Sequence, residues 1–270
     1  MTEYLQDFEE VIRKDIPGFK VAYKSESLLM KVLAFLTYPF NPYFMRGYIT
    51  TWGNKVYFPD EDYYKGPPKR SVFTLAHEYV HLLDSKKHPV LFKLGYIFPQ
   101  VLSLLPAVVL IIWGSGWPLL VLLGGYLLGC LLARLHRSLF WIVISLSVLG
   151  SLTMAWFLCG WWSLALLGFF VLLLPLPAPW RTHYELRGYS MTIALYRWGY
   201  GPTIDLAGML SAMQHEFIGP PYYYMSYSSK GVLNELARVF AAAGNGTLQS
   251  SGTYAVVHKF LSDHGLLHGD

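Results

Sequence analysis

The sequence predicts an α-helical membrane protein with a small α+β domain, about four short transmembrane helices being inserted into the middle of that domain. Two observations lead there. A nearly uncharged apolar block of about eighty residues fills the centre of the chain, more than a soluble core can absorb in one stretch. Polar segments of mixed composition flank it on both sides, the first ending in His77-Glu-x-x-His81. The composition agrees: 54% of residues are hydrophobic, 17% aromatic and only 14% charged, where roughly a quarter charged is usual for soluble domains. Between Gly95 and Pro179 the formal charges are Arg134 and Arg137 alone.

The elements follow from local pattern. Leu5, Phe8, Val11 and Ile12 recur at helical spacing over residues 3–15, and Pro17-Gly18 ends that helix. The run Leu28–Phe40 is apolar but short, interrupted by Lys31 and closed by Pro39 and Pro42, which suits a membrane-surface or core helix. Tyr48–Trp52 and Lys55–Phe58 are β-rich and joined by Gly53-Asn54, a two-residue hairpin turn. After a proline-marked loop the pattern predicts a helix over 71–86. The apolar block then divides at its own punctuation into spans 96–113, 119–133, 138–158 and 161–174. Helices over 183–198, 203–217 and 230–243 follow, with a last one over 254–263.

Three portions result: residues 1–94 with the motif helix, residues 95–179 as transmembrane hairpins, and residues 180–270 as a helical part completing the site. An even number of spans places both flanks on one side of the bilayer. That side holds Lys86, Lys87, Lys93, Arg134, Arg137, Arg181 and Arg187, while the loops near Ser115 and Gly160 hold no Lys or Arg. The positive-inside rule assigns that side to the cytoplasm. The net charge of +4 comes without a basic stripe interleaved with aromatics, which argues against nucleic acid as a partner. Cys130 and Cys159 both lie in the apolar block and imply no disulfide framework. Residues 1–20 are acidic and amphipathic and do not read as a signal peptide. Nothing in the sequence specifies an oligomeric state.

The chemistry is concentrated at His77, Glu78 and His81. Positions i and i+4 project from one helix face, so both imidazoles can reach one Zn²⁺, with Glu78 beside them to activate water. Thr74, His77, Glu78, His81 and Asp84 form a polar stripe, and Val72, Ala76, Tyr79, Val80 and Leu83 an apolar back. Zinc requires a third protein ligand. The candidates are His88, His183, Glu185, His215, Glu216, His258, His264 and His268, and Glu185 leads because its helix directly follows the last span. An ordinary helix-start carboxylate is the bland reading of Glu185. Asp84 is a candidate to orient a ligand histidine, and Tyr189 a candidate donor to the oxyanion. Strand 55–58 is a candidate edge for pairing an extended substrate. The tyrosines at 222–227 suit an interfacial belt.

The order of His-Glu-x-x-His helix, membrane hairpins and Glu-bearing helix resembles the integral-membrane gluzincins, the CAAX prenyl protease and HtpX-type heat-shock peptidases. In that family the later helix carries Glu-x-x-Ala-Asp, its Glu being the third zinc ligand. Here it reads Glu185-Leu-Arg-Gly188-Tyr189: Glu185 matches, Gly188 stands in for Ala, and Tyr189 departs from Asp. The resemblance covers roughly residues 45–200 and exceeds the family's usual single hairpin between the motifs. It implies a zincin-like catalytic domain, Zn²⁺ held by His77, His81 and Glu185, and a membrane-embedded metallopeptidase acting on a protein or peptide. A site-2-type intramembrane protease is disfavoured, since helix 71–86 is too polar for a span and the chain lacks Asp-Gly. From another class, the alternative is a non-enzymatic membrane, delivery or assembly protein that retains a structural zinc fold.

Overall fold

The computed structural model describes residues 3–98, 108, 116–161, 163–164, 176–219, 224–226 and 228–269. In chain order the elements are α1 (Glu3–Asp15), β1 (Lys20–Tyr23), α2 (Leu28–Thr37), α3 (Phe44–Gly47), β2 (Thr50–Trp52), β3 (Lys55–Phe58), α4 (Glu61–Tyr64), α5 (Pro68–Lys87), α6 (Pro89–Ile97), α7 (Trp117–Leu132), α8 (Arg137–Cys159), α9 (Pro179–Tyr200), α10 (Leu206–Ile218), α11 (Ser229–Gly244) and α12 (Gly252–Asp263). The chain is mostly helical with one small three-stranded sheet.

It divides into two compact units. One comprises residues 1–23, 49–96 and 177–270, the other residues 24–48 and 97–176. The first unit is therefore built from three stretches; the chain leaves it after Tyr23 and after Tyr96 and re-enters it at Ile49 and at Pro177.

The core of the first unit forms around α5. Its apolar back, Val72, Leu75, Ala76, Tyr79 and Leu82, is fully buried. Helix α1 lays Leu5, Phe8 and Ile12 into the same core, with the Phe8 ring edge-on to Tyr79. Helix α9 packs along α5, and α11 packs on α9 in turn through Val232, Leu236 and Val239. Each buried aliphatic or aromatic side chain of this kind contributes about 1.5–3 kcal/mol, so the frame holding the polar face of α5 is apolar and rigid.

The sheet runs in the order β1-β3-β2. The predicted hairpin is present, with Trp52 opposite Lys55 across Gly53-Asn54 and Gly53 at φ +61°. Strand β1 was not anticipated; it pairs parallel with β3 through Val21 opposite Val56. This corrects one expectation. Strand β3 is the central strand, its two edges occupied by β1 and β2, so it has no backbone left to pair a substrate. Strand β2 is a sheet edge and packs against α5.

In the second unit, α7 and α8 form a tight helical hairpin. A Cβ on Gly125 would fall 1.8 Å from Ser147 Oγ, and one on Gly129 would fall 2.9 Å from the Phe140 ring. Gly125-x-x-x-Gly129 thus lets the two helices approach at a small-residue seam. Helix α2 packs here too: the Tyr126 hydroxyl donates to the Leu36 carbonyl at 2.7 Å.

The expectation of four spans is not supported. Among the described residues one helix, Arg137–Leu158 in α8, is long and apolar enough to cross a bilayer, with 22 residues and a mean hydropathy of 1.9. Helix α7 is apolar but has 16 residues, about 24 Å of helix against a bilayer core of about 30 Å. The spans predicted over 96–113 and 161–174 fall largely outside the described residues, as do Tyr222, Tyr223 and Tyr227 of the tyrosine loop.

Candidate metal centre

The polar stripe of α5 does not face solvent. His81, Glu78 and Asp84 are all buried, because α9 lies across them. Helix α9 begins at Pro179, so Glu185 sits in its second turn and is 4% exposed. It is too deep in the helix to serve merely as a helix-start carboxylate.

His77, His81 and Glu185 converge. One ligand atom from each lies within 4.8 Å of the others. The two Nε2 atoms are 3.1 Å apart, and Glu185 Oε2 is 3.9 Å from His77 Nε2 and 3.8 Å from His81 Nε2. Three donors at 2.0–2.1 Å from a tetrahedral ion would stand roughly 3.3 Å from one another, so this triangle is of the right size.

The surrounding hydrogen bonds fix which nitrogens can ligate. Thr192 Oγ1 donates to the Gly188 carbonyl and lies 2.9 Å from His77 Nδ1. Its hydrogen being used there, Thr192 accepts from Nδ1–H, and His77 Nε2 keeps a bare lone pair. The Tyr96 hydroxyl donates to Glu185 Oε1 at 2.9 Å and stands 3.5 Å from His81 Nδ1. His77 Nε2, His81 Nε2 and a carboxylate oxygen then face one point. Among the described residues Glu185 Oε2 is one of two buried side-chain polar atoms with no hydrogen-bond partner. Acceptors crowded in this way repel one another unless a proton or a metal cation lies between them. The site accordingly fits a metal ion.

Titration behaviour points the same way. Burial lowers His77 to about 4 and depresses His81 strongly, so both rings are neutral, the form that binds metal. Burial, reinforced by the charge of Glu78, raises Glu185 to about 8. In the metal-free site that carboxyl holds a proton at neutral pH, and a bound cation would displace it.

Gly188 makes the geometry possible. A Cβ there would fall 2.5 Å from His77 Nε2, so even alanine would push the ring off its position. Thr51 on β2 donates to Glu78 Oε2 at 2.6 Å, which aims the carboxylate beside the histidines. The Tyr189 ring packs edge-on against His77 with centroids 5.1 Å apart. Asp84, expected to orient a histidine, instead pairs with Arg187 at 3.1 Å and ties α5 to α9. Of the rival ligands, His88 and His183 are exposed and His264 bonds Asp7; none joins the cluster.

Tyr96, Thr192, Thr51 and Gly188 complete the centre. Sequence reasoning found no ligand-supporting role for the first three, because a lone tyrosine or threonine distant in the chain has no spacing to reveal it. Gly188 was visible as a small residue, but its purpose appears only with the ring of His77 above it. Comparison with protein-family models, with curated proteins and with solved structures finds no match for this chain.

Proposed function

We propose that the protein is a membrane-embedded zinc metalloendopeptidase, similar in plan to the gluzincins, hydrolysing peptide bonds of proteins at or near the membrane surface. One observation carries this reading: two imidazole nitrogens and a buried carboxylate oxygen turned on one point, with Glu78 adjacent in the same helix. A two-nitrogen, one-oxygen donor set that leaves a fourth position open suits catalytic zinc.

When bound, Zn²⁺ supplies Lewis acidity, polarising the scissile carbonyl and acidifying water. Glu78, held through Oε2 by the Thr51 hydroxyl, takes the proton of the attacking water and returns it to the departing amine nitrogen. His77 and His81 would hold the ion through Nε2, with Thr192 and Tyr96 beside their Nδ1 atoms. Tyr189, whose ring packs against His77, is the proposed hydroxyl donor to the developing oxyanion. An extended substrate would pair with β2, the sheet edge that packs on α5.

The membrane half of the proposal rests on α8. Its 22 residues span about 33 Å, and only 28% of its apolar window is buried within the protein, unlike a soluble core helix. Leu146, Leu149 and Phe157 stand 62–83% exposed on it. Arg134 and Arg137 at one end of α8, against no Lys or Arg near Gly160 at the other, favour a cytoplasmic position for the Arg137 end.

Glu78→Gln tests the reading against a non-enzymatic zinc fold. The variant should retain about one zinc per chain by elemental analysis and lose cleavage of a co-expressed or self substrate by at least about a hundredfold. Cleavage that persists unchanged refutes the peptidase. Zinc near zero in the intact protein refutes the metal centre beneath it, as does zinc content that survives His77→Ala.

A further inference from the structure

The excess charge of this protein is confined to one unit. Residues 24–48 and 97–176 contain five cations, Lys24, Lys31, Arg46, Arg134 and Arg137, and a single acid, Glu26. Five less one is the whole net +4; the remaining cations and acids cancel. This is also the unit that carries the apolar helices, so its positive charge sits where it would meet a bilayer.

Inside the unit the cations are engaged unequally. Lys24 Nζ donates to the Phe44 carbonyl at 2.7 Å and lies over the Phe44 ring. Arg137 donates twice to the Pro39 carbonyl, from Nε at 3.2 Å and Nη2 at 2.8 Å. Arg134 is exposed, with its guanidinium 5.4 Å from the Phe35 ring centroid, and among the described residues it pairs with no carboxylate. It lines a cavity of about 300 Å³ together with Phe35, Tyr38, Asn41, Phe44 and Met45.

The position of that cavity gives it meaning. It forms where the C-terminal end of α2 meets the turn between α7 and α8, held there by the Arg137–Pro39 and Tyr126–Leu36 hydrogen bonds. Arg137 is the first residue of α8. The cavity therefore lies at the level where the apolar helix would leave the hydrocarbon core, which is headgroup depth. Its lining combines a guanidinium, an amide and a phenol with aromatic and thioether walls. A phosphate ester with a glycerol backbone and acyl methylenes can use both kinds of surface, whereas a free anion has no use for the apolar one. Leu28, Leu29 and Val32 of the adjoining α2 are 41–76% exposed and continue the apolar surface.

We propose that this cavity binds the headgroup of an anionic phospholipid, with Arg134 as its phosphate contact. The proposal rests on the membrane placement of this unit and is independent of the metal chemistry. It is tested on the full chain in mild detergent, with bound lipid counted by native mass spectrometry during titration with phosphatidylglycerol, phosphatidylcholine or inorganic phosphate. Phosphatidylglycerol should bind about fivefold or more tightly than phosphatidylcholine, the scale of one basic residue at a charged lipid surface. Arg134→Gln should abolish that preference, Arg134→Lys should keep part of it, and Lys31→Gln should leave it intact, all with unchanged thermal midpoints. Equal binding of the two lipids, or a preference that survives Arg134→Gln, overturns the proposal. Competition by inorganic phosphate at equal concentration assigns the cavity to a free anion and overturns the lipid as its occupant. Alkaline carbonate washing of membranes separates the two levels: release of the protein refutes the membrane placement itself, while retention without a lipid preference refutes the headgroup site alone.

Discussion

At the scale of single residues, the candidate metal centre depends on groups outside its three ligands. Gly188 is the sharpest case. In an ordinary helix interior alanine is favoured over glycine by about 1 kcal/mol, yet here its Cβ would lie 2.5 Å from the ligating nitrogen of His77. Gly188→Ala should therefore leave the fold standing and weaken zinc binding about 10- to 100-fold, as read by competition with a chromogenic chelator. Thr51 acts on the base in a comparable way. Thr51→Val preserves shape and removes the hydroxyl that donates to Glu78. If the proposed peptidase reading holds, zinc stoichiometry and KM should stay constant while kcat falls about tenfold, the cost of one misplaced charge-assisted hydrogen bond. Thr51 belongs to no recognisable motif, and the motif position of Gly188 shows only that it is small. The roles of both come from contacts between segments 27 and 111 positions apart in the chain, counted from Thr51 to Glu78 and from His77 to Gly188.

At the scale of elements, much was legible. The 3.6-residue period located α1, α5 and the helices after Pro179, and Gly53-Asn54 located the hairpin turn. The misses have physical causes. Strand β1 has four residues and little alternation, so only its partner β3 makes it a strand. Strand β3 read as an edge because pairing order is not encoded in local pattern; the sheet order placed it at the centre. The apolar block divided into spans by composition, but composition cannot distinguish a 16-residue helix from one that crosses. The seam between α7 and α8 yields a prediction with an internal control. A side chain on Gly125 collides with Ser147, while one on the neighbouring Gly124 meets nothing within 4 Å. Gly125→Leu should lower the thermal midpoint in detergent, corresponding to about 1–3 kcal/mol of overpacking, and Gly124→Leu should leave it unchanged.

At the scale of the whole molecule, the buried centre makes stability depend on pH in a way that metal reverses. In the metal-free protein His77 titrates near 4 and His81 well below its usual 6.5, so the unfolded chain binds more protons there and stability rises with pH up to about 6.5. Glu185 has the opposite sign. Raised from 4.5 to about 8, it binds its proton more tightly in the folded state, and the stability it contributes is lost as pH rises towards 8. Between pH 4.5 and 6.5 the two histidines outweigh the one carboxyl. The thermal midpoint of metal-free protein should peak near pH 6.5 and decline to pH 8, by up to about 1.4 kcal/mol per pH unit. Saturating zinc should remove that decline, because the ion replaces the proton on Glu185. A midpoint that climbs steadily from pH 6.5 to 8 without metal would contradict the burial of Glu185.

What the sequence alone determined is the chemistry: the His-Glu-x-x-His pair on one helix face, the apolar block, and Glu185 as the favoured third ligand. Those properties are carried by residue type and short-range period, which a linear chain displays. The tertiary structure decided how the ligands are made ready. It set α9 across α5, buried Glu185 Oε2 without a hydrogen-bond partner, and brought Thr192 and Tyr96 beside the histidine Nδ1 atoms. It also placed all the excess positive charge in the unit of apolar helices. These are relations between distant segments. They follow from which apolar faces pack together, and packing is a property of the folded chain.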